Sequence, residues 1–237
     1  MSDYRASGKR YGPILLATIR LVRATSMNTK EIREIKQTLV FTQRQRDILV
    51  GLLLGDGHLE TLNNGRTYRL KVEHSEKQHD YLAWLHKEFR EWIPGGIVEK
   101  RHREHRCVAF TTYSHGAFRF YGQQFYDRNG IKKIPDRIKS MLSPIGLAVW
   151  FMDDGSRKSS RHKTYILHTL AFTKQDLERA KIALKEKFGI QVMIHKQNGR
   201  GLRLYIPSAS AQKFEAHVRE WVTPFASMRH KLVNTHA

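Results

Sequence analysis

The chain holds one cysteine, Cys107, in 237 residues, which excludes a disulfide framework and a thiolate zinc cluster and points to a reducing compartment. No apolar run is long enough to span a bilayer, so a membrane is not an expected partner. Acids are scarce: 22 Asp and Glu stand against 42 Lys and Arg, a formal net charge of +20. The excess is spread along the chain, not gathered in one tail. A polyanion is the expected partner, with a basic structural protein of ribosomal kind as the plainer alternative.

Residues 1–41 differ from the rest. They carry eight Lys or Arg against Asp3, Glu31 and Glu34, with an apolar patch from Ile14 to Val22. Such an extension reads as an organellar leader of a mitochondrial or chloroplast protein, as a basic arm for phosphates, or as a translated leader in frame with upstream sequence. Met27 is a second candidate start, and the sequence leaves the choice open. Composition leaves the three open.

What the chain does have is two related segments, Leu49-Val-Gly-Leu-Leu-Leu-Gly-Asp-Gly57 and Leu147-Ala-Val-Trp-Phe-Met-Asp-Asp-Gly155. Each is an apolar helical run ending in Asp-Gly. Apolar around almost the whole circumference, neither run belongs on a solvated surface, and the simplest burial is of one against the other. Gly51 and Ala148 are small enough to permit close helix contact. Each run delivers an acid, Asp56 or Asp154, to a helix C-terminus, where the macrodipole is already negative and a cation is wanted. Two such helices side by side would bring both acids together, an arrangement suited to shared divalent ions.

Spacing supports an internal duplication. Asp154 follows Asp56 by 98 residues; Thr67-Tyr68 comes 11 residues after the first acid and Thr164-Tyr165 comes 10 after the second. Amphipathic helices end near Phe89 and Phe188, 33 and 34 residues past the acids, and Lys132 and Lys231 lie 76 and 77 residues past them. Two units of roughly 95 residues are expected to share one core, the first at 42–141 and the second at 142–237.

The elements fall in the same order in both units. Arg66–His74 alternates, with Tyr68, Leu70 and Val72 on one face and Thr67, Arg69, Lys71 and Glu73 on the other. A helix over Lys77–Trp92, strands near Ile97–Arg103 and Arg106–Tyr113, and a helix at Ala117–Tyr126 follow. In the second unit, strands near Ser156 and over Tyr165–Phe172 lead to a helix opening at Thr173, where an acid three residues on resembles a capping box. Strands at Ile190–Lys196 and Leu202–Ile206 flank the turn Asn198-Gly-Arg-Gly, and a helix runs over Ser210–Trp221. The fold class is α+β, a duplicated αββαββα unit in which each half offers a four-stranded antiparallel sheet with one apolar and one polar face.

The two segments resemble the signature of the LAGLIDADG homing endonucleases in their single-chain, two-motif form. Leu49, Gly51, Leu52, Asp56 and Gly57 carry the likeness in the first copy, and Leu147, Ala148, Asp154 and Gly155 in the second. Val149 stands where the family usually has a small residue, and Leu54 replaces the motif's first Asp. Trp150–Gly155, Lys132-Lys-Ile-Pro135 and Lys231-Leu-Val-Asn234 are most similar to the group I intron-encoded branch. The resemblance covers roughly residues 42–235. It implies a monomeric, pseudo-two-fold nuclease whose two sheets form a saddle over double-stranded DNA, with the motif helices at the interface. It also implies that Asp56 and Asp154 bind catalytic metal over the minor groove, that the family's basic residues map to Lys132 and Lys231, and that cutting leaves short 3′ overhangs. Val233 stands where a Pro is often found.

Phosphodiester hydrolysis needs a positioned hydroxide, neutralised charge at phosphorus and a stabilised leaving oxygen. Asp56 and Asp154, helped by the backbone carbonyls of Gly55 and Asp153, are the expected ligands of Mg²⁺ or Mn²⁺, two or more ions. Lys132 and Lys231 would polarise the attack. Because a β-ribbon fits the major groove, the polar strand faces nominate Arg69, Lys71, Glu73, Arg101, Arg103, Arg106, His195, Gln197, Arg200, Arg203 and Tyr205 as DNA contacts. The basic loop with Arg157, Lys158 and Arg161 reads as a backbone clamp or an ordinary loop. His102-Arg-Glu-His105 belongs to the basic strand face. The expected target is long and only partly symmetric, since Arg69, Lys71 and Glu73 are not matched by Ile166, His168 and Leu170. The competing readings are an RNA maturase acting on its own intron RNA and a non-cleaving DNA-binding regulator; both acids being present favours the nuclease.

Overall fold

The computed structural model describes residues 30–102, 105–158, 163–197 and 201–232. The chain divides into two units, Met1–Gln37 and Thr38–Ala237. At their junction lies helix α1 (Lys30–Thr38), with no buried residue and an exposed Lys30–Glu34 ion pair of 3.9 Å.

In the larger unit the first motif helix is α2 (Gln43–Leu54), opened by a capping box in which Thr42 and Gln45 exchange bonds of 3.0 and 3.1 Å. Strands β1 (His58–Glu60) and β2 (Arg69–Ser75), helix α3 (His79–Glu88), strands β3 (Val98–His102) and β4 (His105–Thr111) and helix α4 (Arg119–Phe125) follow. A short helix α5 (Ile138–Met141) leads to the second motif helix α6 (Pro144–Asp154). Ser143 caps α6 by accepting from the Gly146 amide at 3.2 Å, and Pro144, whose fixed φ suits a first helical position, starts it. Then come β5 (Gly155–Arg157), β6 (Tyr165–Leu167), α7 (Lys174–Phe188), β7 (Met193–Gln197), β8 (Gly201–Ile206) and α8 (Ser208–Val222). The capping box expected at Thr173 is present, with Asp176 as its acid.

Each half forms a four-stranded antiparallel sheet, in the order β1-β2-β4-β3 and β5-β6-β8-β7. Identical strand order in two successive halves is the duplication read from the spacing. The pairing register nevertheless corrects one correspondence. His58, two residues after the first acid, pairs with Lys71, whereas Ser156, two after the second, pairs with Ile166. Lys71 therefore matches Ile166 and Glu73 matches His168, and Tyr165 is the counterpart of Leu70, not of Tyr68. The second half also has a shorter strand than expected, since β6 ends at Leu167 and the backbone turns at Thr169–Phe172 with a bond of 3.2 Å.

The motif helices pack against each other as their all-round hydrophobicity requires. Ile145 to Met152 are all buried, and Ile48 to Leu54 likewise. The close approach differs in detail from the expected pair: a Cβ on Gly51 would lie 2.3 Å from the Gly146 carbonyl oxygen and 2.7 Å from Val149 Cβ. Gly51 and Gly146 supply the small surfaces, and Gly51 accommodates the larger Val149; Ala148 is simply buried. Aromatic clusters finish the core of each half. Phe41 stacks on Trp92 at 4.0 Å in the first, and Phe151 meets Tyr165 and Phe214 edge-on in the second. Each such buried side chain stabilises the fold by roughly 1.5–3 kcal/mol.

Candidate active site and nucleic-acid interface

The acids at the ends of the two motif helices share one electrostatic environment, since the charge of Asp56 acts on Asp154. Asp56 keeps a side chain 46% exposed. Asp154 is more enclosed, and burial together with the Asp56 charge raises its carboxyl to about 7, against the pull of Lys132 and Lys231. Between them lies a third acid whose carboxylate the sequence reading did not use. The Asp153 side chain is fully buried; it accepts the Asp56 amide at 3.0 Å on one oxygen and the Tyr81 hydroxyl at 2.8 Å on the other. Burial and the neighbouring acids push its carboxyl well above the ordinary range. Gly55 is required opposite it, since a Cβ there would lie 2.5 Å from Asp153 Cβ.

Each lysine is delivered by a built turn. Asp127 accepts the amides of Asn129 and Ile131, each at 2.8 Å, and Gly130 takes φ 74°, folding the chain so that Lys132 reaches the Gly55 carbonyl at 2.5 Å. Lys231 ends a short turn at Arg229–Lys231 and donates to the carbonyls of Met152 and, at 3.3 Å, Asp153. In both halves the ammonium thus grips the last carbonyls of a motif helix, where the dipole favours a cation. Burial lowers the pKa of both lysines, opposed by the three acids. The carbonyls of Gly55 and Asp153, expected as metal ligands, each accept a hydrogen bond from one of these ammonium groups.

His74 was also missed, although the alternation that put Leu70 and Val72 inward continues to it. It sits at the inward end of β2 with Nδ1 3.6 Å from Asp56 and Nε2 3.7 Å from Asp153. Asp56, His74 and Asp153 form a carboxylate–imidazole cluster with ligand atoms within 4.8 Å of one another.

The expected DNA contacts fall on two sheets. On the first, Arg69 and Lys71 both pair with Glu60, at 2.5 and 3.4 Å, Glu73 pairs with Lys100 at 2.6 Å, and Arg106 approaches Glu76 at 3.9 Å. This face is therefore more nearly balanced in charge than a count of its basic residues implied; Arg101, opposite Arg106, is exposed. On the second, His195 lies opposite Arg203 and stacks on Tyr205 at 4.7 Å, and the Lys158 ammonium sits 5.2 Å from the same Tyr205 ring. Gln197 ends β7, and Arg157 pairs with Tyr165. Arg103, Arg161 and Arg200 lie outside the described residues.

Two like sheets, two packed helices and an acid and a lysine from each half, the lysines half-buried and buried, define the class, a pseudo-two-fold α+β nuclease fold. The chain belongs to the LAGLIDADG DNA endonuclease family, whose model matches residues 46–214. Members are DNA-cleaving enzymes, and the chain is accordingly an endodeoxyribonuclease. It is 32% identical to the DNA endonuclease I-ChuI of Chlamydomonas applanata over 81% of this chain and 95% of that protein. It is 26% identical to the cytochrome b mRNA maturase bI2 of Debaryomyces hansenii over 79% of this chain and 73% of that one. Among solved structures it is similar to the homing endonuclease I-WcaI bound to its DNA recognition sequence, with TM-score 0.79 and 26% identity, covering 90% and 96% of the two chains.

Proposed function

We propose that the protein is a site-specific, divalent-metal-dependent endonuclease that cuts both strands of a long, partly asymmetric DNA target as a monomer and so spreads its own intron. The observation that carries this reading is the gathering of one motif-helix acid and one lysine from each half, Asp56, Asp154, Lys132 and Lys231, into a single centre in which each lysine feels the acids of both halves.

The donor set fits a divalent cation. Three carboxylates gathered with burial drive up the affinity of Asp153 and Asp154 for protons, and the two nearby ammonium groups are already engaged by carbonyl oxygens. A cluster that strained for positive charge is what a divalent ion relieves. Asp56 and Asp154 would hold Mg²⁺ or Mn²⁺, which when bound supplies a lowered water pKa and charge neutralisation at phosphorus. Lys132 and Lys231 keep the helix ends rigid and place positive charge beside the developing negative charge. The sheets straddle the duplex: exposed Arg101 and the ion-paired Arg69 and Lys71 exchange weak surface partners for phosphates and bases, while the His195–Tyr205–Lys158 stack does so in the other half. Different residues on matched strand positions, Glu73 against His168, imply different half-sites. Cutting across the minor groove would leave short 3′ overhangs.

The similarity to a maturase supports a second reading, assistance to splicing of the host intron RNA. One experiment separates the two: purified protein with Mg²⁺ is offered the intron-less junction as DNA and the precursor as RNA. Double-strand cleavage at the junction supports the nuclease; accelerated splicing with intact DNA at every salt concentration overturns it.

A further inference from the structure

Resting on the nuclease reading, we propose that His74 is a positioning residue for Asp56, a strut present in one half of the molecule only, so that the two strand-cutting centres are inequivalent by construction. The strut closes a loop. The Asp153 carboxylate holds the Asp56 backbone amide at 3.0 Å and is itself held by Tyr81 at 2.8 Å. From Asp153 the path runs to His74 Nε2 at 3.7 Å, through the ring, and from Nδ1 to the Asp56 carboxylate at 3.6 Å. The ring is packed against Tyr81 at 5.1 Å between centroids, and the side chain is 1% exposed. Asp56 is thereby held at its backbone amide, and its carboxylate lies beside the ring.

Opposite nitrogens of the ring face the two acids. Nδ1 is the nitrogen that faces Asp56 and Nε2 the one that faces Asp153, so the ring stands between the two acids as a strut does, and the geometry points to His74 as the residue that orients Asp56. Both separations exceed hydrogen-bond length, and Nε2 is shielded from solvent without a hydrogen-bond partner among the described residues. The strut is therefore close but slack, a state that tightens when the acid is drawn to its working position.

The other half lacks all three parts. By the strand register, the counterpart of His74 is Thr169, whose hydroxyl donates to the Leu202 carbonyl at 3.2 Å. The counterpart of Asp153 in the first motif is Gly55. Tyr81 lies eight residues before Phe89, and the residue eight before Phe188 is Ala180. Among the described residues Asp154 has no such brace and relies on enclosure instead.

The test is strand-resolved cleavage of end-labelled target duplex by wild type, His74→Phe, His74→Asn and His74→Gln, with melting temperatures and a Mn²⁺ titration of each protein followed by electron paramagnetic resonance. Loss of a group that orients a ligand costs about 10- to 100-fold. His74→Phe is expected to slow one strand roughly tenfold or more, leave the other within about threefold, accumulate nicked product and weaken Mn²⁺ binding. Asn, whose amide takes the place of Nδ1 facing Asp56, is expected to recover much of the rate; Gln, which reaches toward the Nε2 place, is not. Equal slowing of both strands, no slowing, or rescue by Gln in place of Asn overturns the strut. If the wild type cuts no duplex, the nuclease reading fails separately, and unchanged Mn²⁺ affinity in a folded His74 variant then overturns the strut by itself.

Discussion

The first acid stands half in solvent and is braced by neighbours; the second is enclosed and, among the described residues, unbraced. Asp56 is 46% exposed, with its amide fixed by Asp153 and its carboxylate beside His74. Asp154 is raised to about 7 by burial and by Asp56. A duplicated fold thus preserves strand order, helix contact and lysine placement while letting the surroundings of two equivalent acids drift apart. What stays the same is what the backbone geometry demands, and what drifts is the set of side chains that tune each acid.

The harshest way to probe the comparison is to remove either acid. Asp56→Asn and Asp154→Asn should each lower double-strand cleavage by more than about 100-fold, exceeding the loss typical of groups that merely orient ligands, with DNA affinity within a few-fold of wild type in gel-shift titrations. Cleavage near the wild-type rate in either variant would remove that acid from the centre. Next come the lysines. Lys132→Met and Lys231→Met should each slow single-turnover cleavage about 100-fold, because each empties a charge from a helix end; a strong effect in one and none in the other would show that the halves differ in chemistry and not only in tuning.

The helix contact offers a third and smaller effect. Gly51→Ala places a Cβ 2.3 Å from the Gly146 carbonyl oxygen and should destabilise the fold by about 1–3 kcal/mol in denaturant melts. Adding Val149→Ala should restore only part, since the backbone clash remains. The mildest probe is pH. Asp154 binds a proton in the folded protein up to about 7, whereas an ordinary carboxyl loses it near 3.8, so between those values the folded state holds the extra proton. The contribution of Asp154 to the stability of the metal-free protein must then fall as pH rises through that window, read as a melting-temperature difference between wild type and Asp154→Asn in EDTA that declines with pH, and Mg²⁺ should flatten the decline. A difference that rises across the same range would contradict the enclosed, protonated Asp154.

Much of this was readable from local pattern. Gly-bearing apolar runs, alternation in Arg66–His74 and the Thr173 cap translate directly into buried helices, a half-buried strand and a helix start, because each reflects short-range periodicity or backbone hydrogen bonding. The Asp56–Lys132 and Asp154–Lys231 spacings were readable because duplication repeats them. Other features escaped. The ion pairs of Arg69 and Lys71 with Glu60 depend on which strand lies alongside, and the register shift from Tyr68 to Leu70 as the partner of Tyr165 depends on turn lengths that spacing alone does not fix. Ala148 looked like the small contact residue, whereas Gly146 and Val149 are what lie nearest Gly51.

By itself the sequence determined two buried helices ending in acids, a repeated αββαββα order and a strongly basic chain, since hydrophobic periodicity and charge are local properties of the residues. Only the tertiary structure decided that Asp153 points its carboxylate into the core toward Tyr81, that the lysines hold carbonyls of the motif helices, and that His74 stands between Asp56 and Asp153. Those relations join residues about 20 to 80 positions apart, or across the two halves, and they are set by packing distance, which no spacing along the chain contains.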